Sequence, residues 1–323
     1  MRRADAAAGG AALREGFMEL ERLEMLSSDW DAYELLDSGS RLKLERFGDC
    51  VVIRGEPKAW WPPSCPELWS GARARYLEDG RGARWSFSGN VGAPVLECGG
   101  LRFATKFMDG SKHLGIFPEQ KPHWEYAAAK AREFVPFEEE GRIVGRPRLL
   151  NLFGYTGAAT LFAESAGWFV THVDASKPSV EWARKNQTLS GLPEDGVRWI
   201  VDDALKFVRR QRRRGAKYEA VILDPPAFGR GPKNELWKLE KMLPELLSEC
   251  AGLFSQAKMF ALITLYSIDA SPVMAANVLR AYLDAGGRAK LSAGELVLRP
   301  RGGGYRLPLS IWAKAEFAHR SSI

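Results

Sequence analysis

The sequence has few of the residues that build disulfide frameworks and metal centres. Its four cysteines, Cys50, Cys65, Cys98 and Cys250, include no C-x-x-C pair. Its four histidines form no H-x-x-x-H pair and lie near no cysteine cluster. Scattered thiols of this kind are typical of a reduced cytosolic protein, so we expect no disulfide framework and no dedicated metal site.

Long apolar runs are also missing. No stretch approaches the roughly 18 uninterrupted apolar residues of a membrane-spanning helix, so we expect none. The N-terminal segment carries Asp5, Glu15 and Glu19 and lacks an apolar core. It therefore resembles neither a secretory signal nor a transit peptide, and we expect a cytoplasmic protein.

What remains is the composition of a globular protein with a small basic excess. The 323 residues are 46% hydrophobic and 27% charged, which suits about two domains of ordinary size. Lysine and arginine total 46 against 40 acidic residues, a net charge of +6. This excess is compatible with a polyanionic partner but does not require one.

The pattern of predicted elements changes near residue 140. Before that point, short apolar stretches separated by turn residues predict strands, with helices between them. The expected strands are Tyr33–Leu36, Leu42–Phe47, Cys50–Arg54, Ala83–Phe87, Pro94–Cys98 and Leu101–Phe107; the expected helices are Gly10–Met25, Pro66–Tyr76 and His123–Phe134. We therefore predict a small mixed α+β domain, rich in strands, over 1–135 and a second domain over 136–323.

The second domain alternates strands and helices. The expected strands are Arg148–Phe153, Phe169–Asp174, Val197–Val201, Ala220–Asp224 and Met259–Leu265; the helices are Ala158–Gly167, Pro178–Ser190, Ala204–Arg214, Leu236–Leu253 and Ser271–Ala285. This alternation predicts an α/β fold with a mostly parallel, Rossmann-like sheet that binds ligands at the carboxyl ends of its strands. Glu295–Arg299 and Leu307–Ala315 predict an antiparallel C-terminal hairpin, and the second of these is expected at an open edge, where it could pair in a homodimer.

Candidate site residues follow the first two strands of this sheet. The first strand ends in a glycine turn, and twenty residues after Gly154 the second strand ends at Asp174, which precedes Ala175. The residues of the turn are Asn151, Phe153, Gly154, Tyr155, Thr156 and Gly157. Only two glycines of a G-x-G-x-x-G pattern are present, which favours a nucleoside ligand without a pyrophosphate, its ribose held by the acid. An ordinary turn followed by a surface aspartate is the alternative.

The next two strands also end in carboxylates. Asp202, Asp203 and Ala204 close the third strand, where an acid can cap the following helix or accept from an adenine amino group. Asp224-Pro225-Pro226-Ala227-Phe228 closes the fourth strand. Because proline cannot pair within a central strand, the prolines fix the strand end there. We expect Asp224 to project into the crevice, with Phe228 as an apolar or stacking surface.

The four strand ends together resemble the class I S-adenosylmethionine (SAM)-dependent methyltransferases. The resemblance is closer to bacterial large-subunit ribosomal RNA methyltransferases, a group that includes 5-methylcytosine-forming members, and it covers about Leu101 to Ala315. It implies a Rossmann-like class I methyltransferase sheet with SAM as cofactor. The segment containing Phe117 and Gln120 would cover the cofactor, with the glycine turn, Asp174 and Asp203 as further contacts. Asp224, Pro225, Pro226 and Phe228 would form the catalytic motif.

Two departures from that family qualify the resemblance. The 5-methylcytosine-forming members carry a nucleophilic cysteine after the fifth strand, whereas this sequence reads Ile263-Thr264-Leu265-Tyr266-Ser267-Ile268. We therefore expect direct in-line methyl transfer, with Tyr266 either hydrogen-bonding the acceptor or packing in the core. We also expect the residues before Pro94 to be too few for both a separate RNA-binding module and a small β unit.

The distribution of basic residues bears on the substrate. The run over Arg209–Arg214 ends a helix that returns to the opposite edge of the sheet, so we expect it to complement the helix dipole. The basic residues expected around the site are Lys106, Lys112, Lys121, Arg230, Lys233, Arg299, Arg301 and Arg306. The tryptophans Trp60, Trp61, Trp69 and Trp85 are expected to pack the β unit rather than to stack on bases. We predict methylation of an RNA base, in ribosomal RNA. The alternatives are a protein or small-molecule acceptor, or a non-catalytic SAM-binding protein.

Overall fold

The computed structural model describes residues 23–79, 82–134, 138–139, 142–143, 145–255, 258–284 and 289–317. The strands are β1 Leu23–Ser27, β2 Tyr33–Gly39, β3 Leu42–Phe47, β4 Cys50–Gly55, β5 Ala74–Asp79, β6 Gly82–Phe87, β7 Val95–Cys98, β8 Leu101–Ala104, β9 Glu138–Glu139, β10 Arg142–Ile143, β11 Arg148–Leu152, β12 Phe169–Asp174, β13 Val197–Val201, β14 Ala220–Leu223, β15 Phe228–Arg230, β16 Leu236–Lys238, β17 Met259–Tyr266, β18 Lys290–Leu298 and β19 Leu307–Phe317. The α-helices are α1 Lys121–Lys130, α2 Ala158–Ser165, α3 Lys177–Leu189, α4 Ala204–Arg213, α5 Leu239–Ala251 and α6 Pro272–Leu283.

An eight-stranded sheet forms the centre of the molecule, in the order β1-β18-β19-β17-β14-β11-β12-β13. The strands from β17 to β13 are mutually parallel, and β19 runs antiparallel to both β17 and β18. The central strands are apolar runs because helices cover both faces; β14, for example, is buried along its whole length. The predicted α/β fold, with its C-terminal antiparallel hairpin, is confirmed.

The prediction that Leu307–Ala315 forms an open edge is wrong. These residues lie in β19, which pairs with β17 on one side and β18 on the other, so they offer no free edge to a second chain. The outer strands of the sheet are β1 and β13. The basis that we gave for a homodimer is therefore absent.

The N-terminal part is built on a five-stranded sheet, β2-β3-β4-β5-β6, which is antiparallel except between β4 and β5. The predicted helix over Pro66–Tyr76 is only a 3-10 turn, Pro66–Gly71, because the following residues pair as β5 instead. The first residues predicted within the helix Leu236–Leu253 likewise form β16, and the helix begins at Leu239. Most of the helix predicted over Gly10–Met25 lies outside the described residues, but Leu23–Met25 belong to β1.

The two parts of the chain share a sheet and a core. The β1 strand pairs in parallel with β18, and a Cβ on Gly294 would lie only 1.7 Å from the Glu24 carbonyl oxygen, so glycine permits this close approach. One buried cluster joins Trp30 and Phe103 to Phe162. The N-terminal part is therefore positioned directly against the carboxyl edge of the large sheet, while the boundary at residue 135 stays a prediction.

Two further properties concern the described residues alone. No helix among them combines the length and apolar character needed to cross a bilayer. They also contain no group of three or more His, Cys, Asp or Glu side chains arranged to hold a metal ion.

Candidate active site

A cavity of about 390 Å³ lies at the carboxyl ends of β11, β12, β13 and β14. This is the size of pocket that binds a small molecule or cofactor. The predicted site residues that line it are Phe117, Phe153, Tyr155, Asp174, Ala175, Asp202, Asp203, Ala204, Asp224, Pro226 and Tyr266. The topology thus brings together residues from every strand end that the sequence singled out.

The glycine turn forms one wall through close backbone approaches. A Cβ on Gly154 would lie 2.4 Å from the His172 imidazole, so only glycine fits there. Gly157 begins α2 with a φ of +88°, in the left-handed region that favours glycine. Phe153 and Tyr155 also have positive φ, of 59° and 49°, which is costly for non-glycine residues and typical of functional turns.

Two polar side chains of the turn make structural contacts. Thr156 donates its hydroxyl to the Gly115 carbonyl and thereby ties the turn to the segment before α1. The Asn151 amide donates to Thr160 Oγ1 at 2.9 Å, and that hydroxyl also bonds His172 Nδ1 at 2.8 Å. Asn151 therefore supports the turn from below rather than projecting into the large cavity.

Asp174 links the turn to the start of α3. Its Oδ2 accepts from the Tyr155 N–H and its Oδ1 from the Ser176 N–H, both at 2.8 Å. Burial raises the pKa of this carboxyl, although the two N–H donors oppose the shift. A carboxylate held at a strand end in this way has further lone pairs for ribose hydroxyls.

The acids after β13 are engaged within the protein. Asp203 caps α4 by accepting from the Lys206 N–H at 2.9 Å. Asp202 pairs with Arg210 and also accepts from the Asp203 N–H at 2.8 Å. Both line the cavity, but the contact with an adenine amino group stays a prediction.

A smaller space of about 50 Å³ continues beneath the glycine turn. Its polar lining includes Gln120, His123 and Thr264, of which the last two did not stand out in the sequence. Gln120 Oε1 lies 3.0 Å from His123 Nδ1 and accepts from Thr264 Oγ1 at 3.3 Å. Burial lowers the pKa of His123 to about 3, so its imidazole is neutral, and its Nε2 has no hydrogen-bond partner among the described residues.

A third cavity, of about 360 Å³, opens toward the N-terminal sheet. Its charged and polar lining includes Lys43, Arg54, Glu56, Lys58, Lys112, His113, Glu119, Ser267 and Ser310. Of these, only Lys112 was expected around the site from the sequence. It shares His113, Phe117, Asp224 and Tyr266 with the 390 Å³ cavity, so these four side chains stand at the junction of the two spaces.

Buried charges on β3 and β4 shape this third cavity. Arg54 donates two 2.7 Å hydrogen bonds to Glu45, and Lys43 Nζ lies 3.6 Å from Glu45 and 3.5 Å from Glu56. Burial alone would raise the pKa of Glu45, but Arg54 and Lys43 lower it to about 2. Burial and the charge of Arg54 lower the pKa of His113 to about 3, so it faces the cavity as a neutral group.

Asp224 occupies the junction with one oxygen unsatisfied. Its Oδ2 accepts from Gln120 Nε2 at 3.2 Å, whereas its Oδ1 is buried and has no partner among the described residues. Burial and the neighbouring Glu119 raise the pKa of Asp224 to about 8. Burial, followed by the charge of Asp224, also raises the pKa of Tyr266. An orphaned carboxylate oxygen beside two cavities is suited to receive a donor from a ligand.

The residues after Asp224 divide between support and exposure. Pro226 lines the 390 Å³ cavity and accepts from Trp237 Nε1 at 2.7 Å, while Pro225 is buried behind it. Phe228 differs from expectation: it is 56% exposed on the hairpin of β15 and β16 and lines none of the three cavities. The aromatic surface of the crevice comes instead from Phe117, whose ring contacts those of Tyr155 and Tyr266.

The basic residues expected around the site are partly neutralised. Lys121 pairs with Glu125, and Arg301 pairs with Asp29 and Asp31. Lys106 lies over the Trp182 ring, whereas Arg230 lines the 390 Å³ cavity. Lys233, Arg299 and Arg306 are exposed. Because Lys121 and Arg301 are paired with acidic residues, fewer free cations surround the cavity than predicted.

The basic run of α4 is held by acids rather than by the helix dipole alone. Arg209 and Arg212 pair with Glu245 and Glu249 of α5, and Arg210 reaches back to Asp202.

None of the four cysteines lines any of the three cavities. Cys50, Cys98 and Cys250 are buried, which suits inert structural thiols.

The structure of this chain is similar to that of a known protein, although a comparison of the sequence with models of protein families found no match. The structure matches that of a SAM-dependent methyltransferase from Agrobacterium tumefaciens with a TM-score of 0.83 and 37% identity, covering 94% of this chain and 96% of the other. A parallel sheet with an adenosine-sized cavity at its carboxyl edge defines a nucleotide-type cofactor site, and the protein belongs to the SAM-dependent methyltransferases.

Two curated relatives match over shorter stretches. Ribosomal RNA large subunit methyltransferase I of Aeromonas salmonicida is 30% identical over 191 residues, which are 54% of this chain and 45% of that protein. The protein of the same name from Photobacterium profundum is 39% identical over 88 residues, 27% of this chain and 22% of that protein. The chain therefore spans less than half of the length of either relative.

The residues present fit the cofactor of this family. The 390 Å³ cavity offers the Asp174 carboxylate at one end, and the orphaned Asp224 Oδ1 lies where it meets the third cavity. The smaller polar space beneath the glycine turn adjoins it through Phe153 and Tyr155. The lining therefore suits the cofactor of the family to which the chain belongs, while the contacts of individual residues with SAM stay predictions.

Proposed function

We propose that the protein methylates a base of ribosomal RNA at an exocyclic amino group, by direct transfer. The observation that carries the proposal is the position of Asp224, whose unpartnered Oδ1 stands between the cofactor cavity and the third cavity. We infer that the third cavity is the acceptor cavity, and we use that name below. An amino group supplies the N–H that this oxygen lacks. An RNA substrate also agrees with the cytoplasmic location predicted from the sequence.

The curated relatives support an RNA acceptor. Two of them are named as methyltransferases of large-subunit ribosomal RNA, and their similarity to this chain spans up to 191 residues. The acceptor cavity carries Lys58 and Lys112 among its lining residues, and such cations favour a substrate with phosphates nearby. Tyr266 and Phe117 offer flat surfaces against which a base can be held.

Direct transfer assigns simple tasks to the side chains. When bound, the cofactor supplies an electrophilic methyl group on a sulfonium. Asp224 Oδ1 accepts an amino N–H of the base and so turns the nitrogen toward the methyl group. Gln120 holds the other carboxylate oxygen, and Tyr266 hydrogen-bonds or stacks on the base. As the new N–C bond forms and the C–S bond breaks, the amino proton passes to Asp224 and then to solvent.

The cavity also explains how Asp224 becomes ionised. A pKa of about 8 keeps its carboxyl largely protonated at neutral pH in the free protein. A positive charge and an N–H donor nearby both stabilise the carboxylate form. Asp224 therefore becomes able to accept the amino proton only when the cofactor cavity and the acceptor cavity are both filled.

The test uses methyl-labelled SAM with ribosomal subunits, or naked ribosomal RNA, lacking the native modification. After digestion, we expect the label on an N-methylated nucleoside. The label should be lost with Asp224→Ala and retained with Asp195→Asn, an exposed carboxylate.

Three outcomes would count against the proposal. Labelled 5-methylcytosine would overturn direct transfer to an amino group, because that product needs a nucleophile such as cysteine. Cofactor binding without labelled RNA would move the assignment to a protein or small-molecule acceptor. Cofactor binding without turnover on any acceptor would favour a non-catalytic protein.

A further inference from the structure

Trp60 differs from the tryptophans around it. We expected Trp60, Trp61, Trp69 and Trp85 to pack the N-terminal sheet, and three of them do: Trp85 is buried, Trp61 donates to Ser38, and Trp69 donates to Asp37. Trp60 instead is 80% exposed, the largest exposed fraction among the exposed large hydrophobic side chains of the described residues. An indole left in water at this site therefore has no packing role to explain it.

The segment that carries Trp60 is held firmly. Backbone N–H groups of the β2–β3 turn donate to it, from Ser40 to the Trp61 carbonyl and from Arg41 to the Ala59 carbonyl, each at 2.7 Å. The Trp60 indole Nε1 donates to the Pro57 carbonyl at 2.7 Å, which fixes the ring orientation while leaving its surface in solvent. A rigid exposed ring loses little conformational freedom when a flat ligand stacks on it.

The segment also borders the acceptor cavity. Pro57 and Lys58 line that cavity, and Lys58 Nζ donates to the Leu309 carbonyl on its opposite rim at 2.5 Å. A second exposed ring, Tyr305, is 51% exposed and lies 5.4 Å from Trp61, centroid to centroid. Trp60 follows the lining residues Pro57 and Lys58 in the chain, and Tyr305 precedes the lining residue Leu309, so both exposed rings belong to segments that border the cavity.

The charge around these rings is positive. Arg41, Lys58 and Arg306 are exposed, and none of them forms a salt bridge with another described residue. Exposed aromatic rings between unpaired cations are the usual surface for single-stranded nucleic acid, because bases stack on the rings and phosphates meet the cations.

We propose that Trp60 and Tyr305 form a stacking platform for an unpaired nucleotide next to the one whose base enters the acceptor cavity. The inference rests on the proposed RNA substrate. It adds that the RNA is bound as a single strand, and that the segment after β4 takes part directly in substrate binding.

The test measures binding of a short fluorescein-labelled single-stranded RNA by anisotropy over a range of salt concentrations. Stacking releases no counterions, so Trp60→Ala should weaken binding about tenfold at every salt concentration without changing the slope of log K against log salt. Lys58→Gln or Arg306→Gln should reduce that slope by roughly 0.7 each. Trp60→Phe should recover part of the affinity.

The controls separate stacking from folding. Phe87→Ala removes an exposed aromatic ring elsewhere in the N-terminal part, since Phe87 is 45% exposed on β6. This variant should leave RNA affinity unchanged. A duplex of the same sequence, whose bases are already stacked, should respond little to Trp60→Ala. The melting temperature and the cofactor affinity of Trp60→Ala should match those of the wild type.

The failures are distinguishable. If the wild type binds the single strand and Trp60→Ala binds equally well, the platform is wrong and the proposed function stands. If Trp60→Ala changes the salt slope instead, the ring acts through phosphate contacts and stacking is wrong. If the wild type neither binds nor methylates RNA, the proposed function fails and the platform fails with it.

Discussion

The cofactor cavity and the acceptor cavity share Asp224 but are built in opposite ways. The cofactor cavity is lined mainly by short segments that follow successive parallel strands, so its residues cluster in the sequence. The acceptor cavity joins β3 and β4 to residues near Leu309, more than 250 positions away. The comparison teaches that one cavity is encoded locally by strand-end motifs, whereas the other exists only once distant elements meet.

The largest expected effect concerns the buried charges of the acceptor side. Arg54→Met leaves Glu45 buried without its bidentate partner, and loss of one member of a buried pair costs about 3–5 kcal/mol. Urea unfolding should report this loss, while titration of the folded protein with SAM should give an unchanged affinity. Arg46→Met, on the neighbouring strand β3 and in a partly exposed pair with Glu34, should cost less than about 1 kcal/mol. Equal losses in the two variants would contradict the account.

The shared residue comes next. Asp224→Asn keeps the shape of the side chain but cannot take the amino proton, so kcat should fall about 10²- to 10³-fold. The dissociation constant for SAM should change by less than about threefold, because the substitution keeps the shape of the side chain. A comparable loss of SAM affinity would mean that Asp224 belongs to the cofactor side alone.

A smaller effect should follow from crowding the cofactor side. In Gly154→Ala, the new Cβ would collide with the His172 ring, so the turn must shift. We expect SAM affinity to fall about tenfold, or about 1.4 kcal/mol, as the backbone retreats from the ligand. Isothermal titration would measure it, with Gly92→Ala as control because a Cβ there meets nothing within 4 Å.

The last prediction concerns the dependence of stability on pH. The pKa of Asp224 is about 8 when folded against an ordinary 3.8, so the unfolded chain releases a proton that the folded chain keeps. The free energy of unfolding should therefore fall as the pH rises from about 4 to about 8, by at most about 1.4 kcal/mol per pH unit. Asp224→Asn should lack this contribution, and parallel pH profiles of the two proteins would refute it.

The comparison also shows what the sequence could predict. Asp174 and Asp224 were found because each ends an apolar strand, and parallel strand ends must meet at one edge. Asp203 was recognised as a potential helix cap for the same local reason. Phe228 was misplaced because nothing local announced that the chain would turn back as a two-stranded hairpin after the prolines.

The acceptor side could not be found in the same way. Lys43 stands opposite Arg54 in the β3–β4 register, with Glu45 and Glu56 beside them, so alternate charged positions on two neighbouring strands were a usable signal. Charged residues are rarely buried unless they are paired, so this alternation by itself indicates a solvent-facing strand face. Only the packing of this sheet against the larger one turns that face inward. Trp60 was misjudged for the converse reason, since a tryptophan is usually buried.

The pairing of β1 with β18 has a consequence for how the protein is made. Leu23 pairs with Ala293, 270 residues further along the chain. At roughly 5–20 residues per second, the ribosome needs about 15–50 s to supply that partner. Until then β1 lacks the strand with which it pairs, so the large sheet closes only after β18 has been synthesised, and conditions that slow translation should lengthen the period in which the nascent chain depends on chaperones.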